Sequence, residues 1–108
     1  MTTFDSRERA FENKYAYDLE VSFKANARRN KLFGLWAAER LSLDSPVAQE
    51  YAQQTVIADF EAHGSKSEVV RKVQQDLADA GIELTCNELT EVYDELMDAA
   101  INQLQKEA

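Results

Sequence analysis

Leu32-Phe33-Gly34-Leu35-Trp36-Ala37-Ala38-Glu39-Arg40-Leu41 is the stretch on which the fold turns. Leu32, Phe33, Leu35, Trp36, Ala37 and Ala38 cover every side of a helix with apolar surface, and such a helix is surrounded by others. Toward the N-terminus, Phe4, Phe11, Tyr15, Leu19, Phe23, Asn30, Phe33, Ala37 and Leu41 recur at steps of three, four and seven. That spacing places them on one face of a single long helix. Asp5 with Glu8 makes a capping box at its start, and the pattern runs unbroken to about Leu41. Toward the C-terminus three more starts follow. Asp44-Ser45-Pro46 offers an N-cap with Pro at the first helical position, for a helix ending at Gly64. Ser65 with Glu68 opens a third helix that stops at Gly81, and Thr85 with Glu88 opens a fourth that runs to the last residues.

The connections are short, so consecutive helices are antiparallel and the predicted fold class is all-α, a four-helix bundle. Core partners for the first helix are Val47, Tyr51, Val56, Ile57 and Phe60 from the second. The third supplies Val69, Val70, Val73 and Leu77, and the fourth Leu89, Val92, Tyr93, Leu96, Ile101 and Leu104. Composition agrees: 108 residues with 44% hydrophobic content suit one globular domain, and three Gly with one Pro are too few for turn-rich sheets.

Length separates the first helix from the rest. At 1.5 Å per residue it spans roughly 55 Å, against about 22–32 Å for the others. The shorter helices gather around its Leu32–Leu41 end, so the opening turns protrude or are mobile. The chain divides accordingly into an N-terminal partner-binding segment, residues 1–18, and a globular domain, residues 19–108. The overhang nevertheless keeps Phe4, Phe11, Tyr15 and Tyr17, and exposed aromatics on an amphipathic segment mark a partner surface.

Net charge is −8 and unevenly spread. Residues 1–40 hold eight Lys/Arg and six Asp/Glu, whereas residues 41–108 hold four and fourteen. An acidic chain is a poor general ligand for nucleic acid. Lys24, Arg28, Arg29 and Lys31 form one basic cluster. Lys24, Arg28 and Lys31 share the back of the helix, where they serve as a solvated face that pairs with acidic helices. A single cysteine, Cys86, cannot staple its own chain and points to a reducing cytoplasm. Neither a signal peptide nor a run of ~20 apolar residues is expected, so direct membrane insertion is not.

Catalytic equipment is missing from the pattern, and the expectation is a non-enzyme. His63, the one histidine, sits beside Gly64 at a helix end and reads as a capping group. Cys86, in the first turn of the last helix, reads as a small, partly buried side chain. Glu91, Asp94, Glu95 and Asp98 read as a solvated stripe, because di-metal bundles pair such acids with Glu-x-x-His and this chain has none. No metal site is expected, and no cofactor beyond weak ADP or ATP binding near the basic stripe and Trp36.

Phe4-Asp5-Ser6-Arg7-Glu8-Arg9-Ala10-Phe11-Glu12-Asn13-Lys14-Tyr15, followed by Ala27-Arg28-Arg29-Asn30-Lys31 and the stretch quoted first, resembles the zeta subunit of bacterial F-type ATP synthases. RERAFE-x-K and ARRNKL-x-GLWAAE carry the resemblance. Looser similarity runs through Tyr51, Ala58-Asp59-Phe60 and Val70-Arg71-Lys72-Val73, and Ser42 stands where many relatives have Gly. The resemblance implies an inhibitor of ATP hydrolysis. Its N-terminal segment wedges between an alpha and a beta subunit of the catalytic head, near the central stalk, and blocks hydrolytic rotation. The partners are then the alpha, beta and central-stalk subunits, and the location is cytoplasmic, peripheral to the inner membrane when bound. Carried onto this chain, Phe4, Phe11 and Tyr15 are the anchors, and Arg7, Arg9, Glu12 and Lys14 pair with charges on the subunits. The alternatives are a small RNA- or DNA-binding protein using residues 24–31, and a bundle that senses adenine nucleotides weakly.

Overall fold

The computed structural model describes residues 3–62 and 65–107, with side chains from Glu20 onward within those limits. Four helices follow in order: α1 (Thr3–Arg40), α2 (Ser45–Glu61), α3 (Lys66–Asp79) and α4 (Cys86–Glu107). No strand occurs among the described residues. The molecule measures 65 × 25 × 22 Å. With 38 residues, α1 is about 57 Å long, whereas the 22 residues of α4 reach only about 33 Å. The long axis therefore belongs to α1.

The core gathers at the end of α1 that the sequence marks. Phe33 and Ala37 are buried with Val69, Val70, Val73 and Leu77 of α3 and Leu89 and Tyr93 of α4. Trp36, Leu41, Tyr51, Ile82, Leu84, Val92 and Leu96 pack around that cluster. Phe33 is its centre. Its ring meets Tyr93 edge-on at 5.1 Å and stacks on Trp36 at 5.9 Å, the geometries that the ring quadrupole favours. Tyr93 buries a hydroxyl and satisfies it, donating to Asn30 Oδ1 at 2.9 Å. Both groups are buried, so each answers the other's need for a partner.

α1 and α2 meet by a different rule. At Gly34 an added Cβ would lie 2.6 Å from Ala52 Cα and 2.8 Å from Thr55 Oγ1. Ala37, Ala38, Ala52 and Thr55 are all buried nearby, so this seam is built from small residues and close backbones. Thr55 turns its hydroxyl back to the Tyr51 carbonyl at 3.0 Å and leaves no polar group unmatched. A polar tie joins α2 to α3, where the Tyr51 hydroxyl donates to Asp76 at 2.7 Å and Lys72 reaches the same carboxylate at 3.2 Å. Burial, then Asp76, pushes the Tyr51 phenol well above its ordinary pKa.

The helix ends separate the signals that act from those that only match. Thr85 and Glu88 close a full capping box: Glu88 N–H donates to Thr85 Oγ1 at 3.1 Å, and Thr85 N–H to Glu88 Oε1 at 3.4 Å. Asp44 caps α2 by accepting from Val47 N–H at 3.2 Å. Pro46 there is the second helical residue, not the first. Ser65 stands at the N-cap of α3 but makes no side-chain capping bond, because its hydroxyl meets Ser67 Oγ instead. α1 begins at Thr3, so Asp5 lies inside it rather than capping it. α2 ends at Glu61, before Gly64, which lies outside the described residues, as does His63.

Two helices close with the same double turn. After α3, Ile82 N–H bonds Leu77 O at 2.8 Å and Gly81 N–H bonds Ala78 O at 2.9 Å, with Gly81 at φ 84°. After α1, Leu43 N–H bonds Ala38 O and Ser42 N–H bonds Glu39 O, both at 3.1 Å, and the left-handed residue is Ser42 at φ 59°. A serine holds a glycine's conformation there.

Several expected core residues lie outside. Val47, Ile57 and Phe60 of α2 are 45%, 48% and 75% exposed. The cause is the small-residue seam, which seats α2 on its Ala52–Thr55 edge and turns the bulky side chains outward. Phe23 is 67% exposed as well. Among the described residues the first buried on α1 is Ala25, on another side of the helix. Leu32, Leu35 and Trp36 are half-buried, so the apolar turn is covered on most sides and not all.

Candidate partner-binding site

The residues expected to meet a partner are Phe4, Arg7, Arg9, Phe11, Glu12, Lys14 and Tyr15. All stand on α1 within Thr3–Arg40, and their side chains lie outside the described residues. The helical backbone puts positions 4, 11 and 15 on one face. That face is the one aromatic register the segment offers.

The root of the segment is described in full. Glu20 and Lys24 pair one turn apart at 2.9 Å, and Lys24 holds the Glu20 carboxyl below its usual range. Arg28 grips the far end of α4. Its Nη1 reaches Glu107 Oε1 at 2.7 Å and Gln103 Oε1 at 2.8 Å, and its Nη2 reaches Glu107 Oε2 at 2.9 Å. A forked pair of this kind fixes direction as well as distance. The hydrogen bonds of Arg28, and after them its charge, hold the Glu107 carboxyl below the usual range. Arg29 leaves the back face entirely. Its guanidinium carbon lies 3.8 Å from the Tyr93 ring centroid, Nη2 donates to Asn26 Oδ1 at 3.0 Å, and Nε is buried without a hydrogen-bond partner. Burial pushes the Tyr93 phenol up to about 12 despite that cation. Of the basic cluster, Arg28 and Arg29 are thus engaged within the molecule, and Lys31 is exposed.

A shallow concavity of about 980 Å³ opens beside this root. α1 lines it with Val21, Phe23, Ala27 and Lys31, α2 with Val56, and α4 with Ile101 and Leu104. Sequence reasoning missed that Phe23 and Phe60 stay outside. A signal for Phe60 was available, because the apolar residues of α2 spread around the helix instead of forming one stripe. Cys86 is exposed rather than partly buried, its thiol on Gln74 Oε1 at 3.0 Å. Glu91, Asp94, Glu95 and Asp98 are all exposed, and Asp94 takes Lys66 at 3.1 Å. No helix among the described residues is long and apolar enough to cross a membrane.

The arrangement is a long helix standing out from a small bundle, with apolar surface at its root. The profile of one protein family, ATPase inhibitor subunit zeta, matches residues 1–103. The chain belongs to the ATPase inhibitor subunit zeta family. In name this family is regulatory rather than catalytic. The zeta-family chain is also similar to a protein solved by solution NMR, with 43% sequence identity and a TM-score of 0.67. That likeness covers 80% of this chain and 96% of the other. Among curated proteins none matches. The matched span takes in both the long helix and the bundle of this zeta-family chain.

Proposed function

We propose that this protein inhibits ATP hydrolysis by the F-type ATP synthase, inserting residues 1–18 between an alpha and a beta subunit of the catalytic head. There the segment lies near the central stalk and blocks rotation in the hydrolytic direction. One observation carries the reading. α1 is a single element of 38 residues, yet its buried side chains, among those described, begin only at Ala25. At about 57 Å, α1 outruns α4 at about 33 Å, and its opening turns carry the aromatic register of Phe4, Phe11 and Tyr15.

Aromatic rings are efficient anchors because each buries a large apolar area for few rotatable bonds. Three of them moved from water into a crevice supply about 1.5–3 kcal/mol each before ordering costs. Arg7, Arg9, Glu12 and Lys14 then set register by pairing with charges on the two subunits. The bundle acts as the stop that limits how far the helix enters. The enzyme being inhibited does the chemistry, and this chain supplies a steric block.

The test is ATP hydrolysis by the cognate enzyme, titrated with the full-length protein and with a truncation lacking residues 1–18. Full-length protein should suppress turnover and the truncation should not. Equal inhibition by both would refute the role of the segment.

A further inference from the structure

We propose that the outer flank shared by α1 and α2, carrying Phe23, Ala27, Lys31, Val56 and Phe60, is a second docking surface, and that it receives an acidic amphipathic helix at the mouth of the crevice that takes residues 1–18. The inference rests on the function proposed above and extends the interface from the segment to the bundle.

The flank is assembled by the packing already described. Gly34 faces Ala52 and Thr55, so the antiparallel α2 carries its later residues past the earlier residues of α1. Phe23, Ala27 and Lys31 recur at i, i+4 and i+8 on one side of α1, and Val56 and Phe60 at i and i+4 on one side of α2. Phe23, Ala27, Lys31 and Val56 border the same concavity. Two phenyl rings left 67% and 75% exposed at one end of a small domain are an unusual outlay of apolar surface. Neither ring is needed by the core, which closes around Phe33 and Tyr93 without them.

Charge selects the occupant. Lys24, Arg28 and Lys31 border the concavity together with Glu20 and Glu107, which pair with the first two and leave Lys31 as the surplus charge. The Lys24–Glu20 pair is exposed and exchanges partners at little cost, whereas Arg28 stays forked to Glu107. An apolar strip with the surplus base Lys31 at its edge suits a helix that is apolar on one side and acidic on the flank that meets Lys31.

Continuity selects the place. α1 has no break between Thr3 and Arg40, so Phe23 lies only about 8 Å beyond residue 18 along one axis. A helix seated in a crevice up to residue 18 necessarily brings residues 20–31 to its lip.

The experiment titrates inhibition of ATP hydrolysis with full-length wild type, Phe23→Ala/Phe60→Ala and Lys31→Glu. All are first checked by circular dichroism, thermal unfolding and sedimentation. Both rings are exposed, so the double variant should keep the wild-type Tm. Its half-inhibitory concentration should rise at least about tenfold. Lys31→Glu should weaken inhibition severalfold at low salt and progressively less as salt screens the contact. Should the double variant lose stability, Lys31→Glu decides alone. Unchanged potency in the variants, with wild type inhibiting normally, overturns this inference and leaves the segment's role intact. So does a wild-type dimer that the double variant converts to monomer, because the flank then belongs to a second copy. A wild-type protein that leaves hydrolysis untouched removes the proposed function, and this surface with it.

Discussion

Gly34→Ala tests the seam between α1 and α2, and its cost follows from the geometry. In a helix interior the exchange alone gains about 1 kcal/mol, since alanine is the better helix former. The added Cβ would sit 2.6 Å from Ala52 Cα and 2.8 Å from Thr55 Oγ1. An unstrained carbon pair needs about 3.5–4 Å, so the shortfall is about 1 Å. A side chain could rotate away from such an overlap, but Cα is backbone. The two helices must therefore part, loosening Ala37, Ala38, Ala52 and Thr55, which are all buried along the seam. Overpacking of this sort costs about 1–3 kcal/mol and lost packing adds to it, leaving a net destabilisation of roughly 2 kcal/mol. For a domain of this size Tm should fall by roughly 8–16 °C in thermal unfolding followed by circular dichroism. Thr55→Ala in the same background should recover only part of the loss, because the Ala52 contact remains. A Tm at or above wild type, or full recovery with Thr55→Ala, would refute the argument.

Ser42→Gly should stabilise the fold by about 0.5–1 kcal/mol, read as a higher denaturant midpoint, because Ser42 holds φ 59° where glycine is free of strain. Thr85→Ala removes half of a formed capping box and should cost about 1 kcal/mol in the same assay. Tyr93→Phe strips Asn30 Oδ1 of its donor inside the core and should cost about 1–3 kcal/mol near neutral pH. The same phenol makes the fold sensitive to alkali. Its folded pKa is raised to about 12 from 10.0, so the folded state keeps a proton that the unfolded state has lost. Stability is therefore whole below about pH 10 and falls as pH climbs toward 12. Denaturant midpoints compared at ~pH 9 and ~pH 11 should drop less in Tyr93→Phe than in wild type. Phe11→Ala/Tyr15→Ala should abolish inhibition of ATP hydrolysis while the circular dichroism of the bundle stays nearly intact; full inhibition by that variant would remove both rings as anchors.

What the sequence discloses depends on how each residue acts. Phe33, Val73, Leu77 and Leu89 are legible because large apolar side chains at helical spacing have one place to go, and all four are buried. Thr85 with Glu88 is legible as a pair whose reach is fixed by the backbone. Ser65 with Glu68 has the same letters and fails, since the Ser65 hydroxyl finds Ser67 first. Phe60 and Ile57 misled for a related reason. Burial was assigned by size, whereas α2 is seated by Ala52 and Thr55, residues too small to stand out in any hydrophobic pattern. Arg29 carried no sign that it would lie across the Tyr93 ring, because the partner is 64 positions away and helical spacing informs only neighbours. The long helix was legible from its length and is found as expected, and its exposed root appears only in three dimensions; the side chains expected to meet a partner lie outside the described residues.

The way α2 is seated has a further consequence. Apart from Tyr51, which reaches the core and Asp76, α2 is fastened through alanine, threonine and the bare backbone of Gly34 and draws little of its hold from its other heavy side chains. Val47, Ile57 and Phe60 can therefore be exchanged over generations with little disturbance to the interior, in the way a panel is repainted without touching the frame. Relatives that share this frame are free to diverge on that panel, and variation concentrated there would record differences among the molecules they meet rather than differences in how they fold.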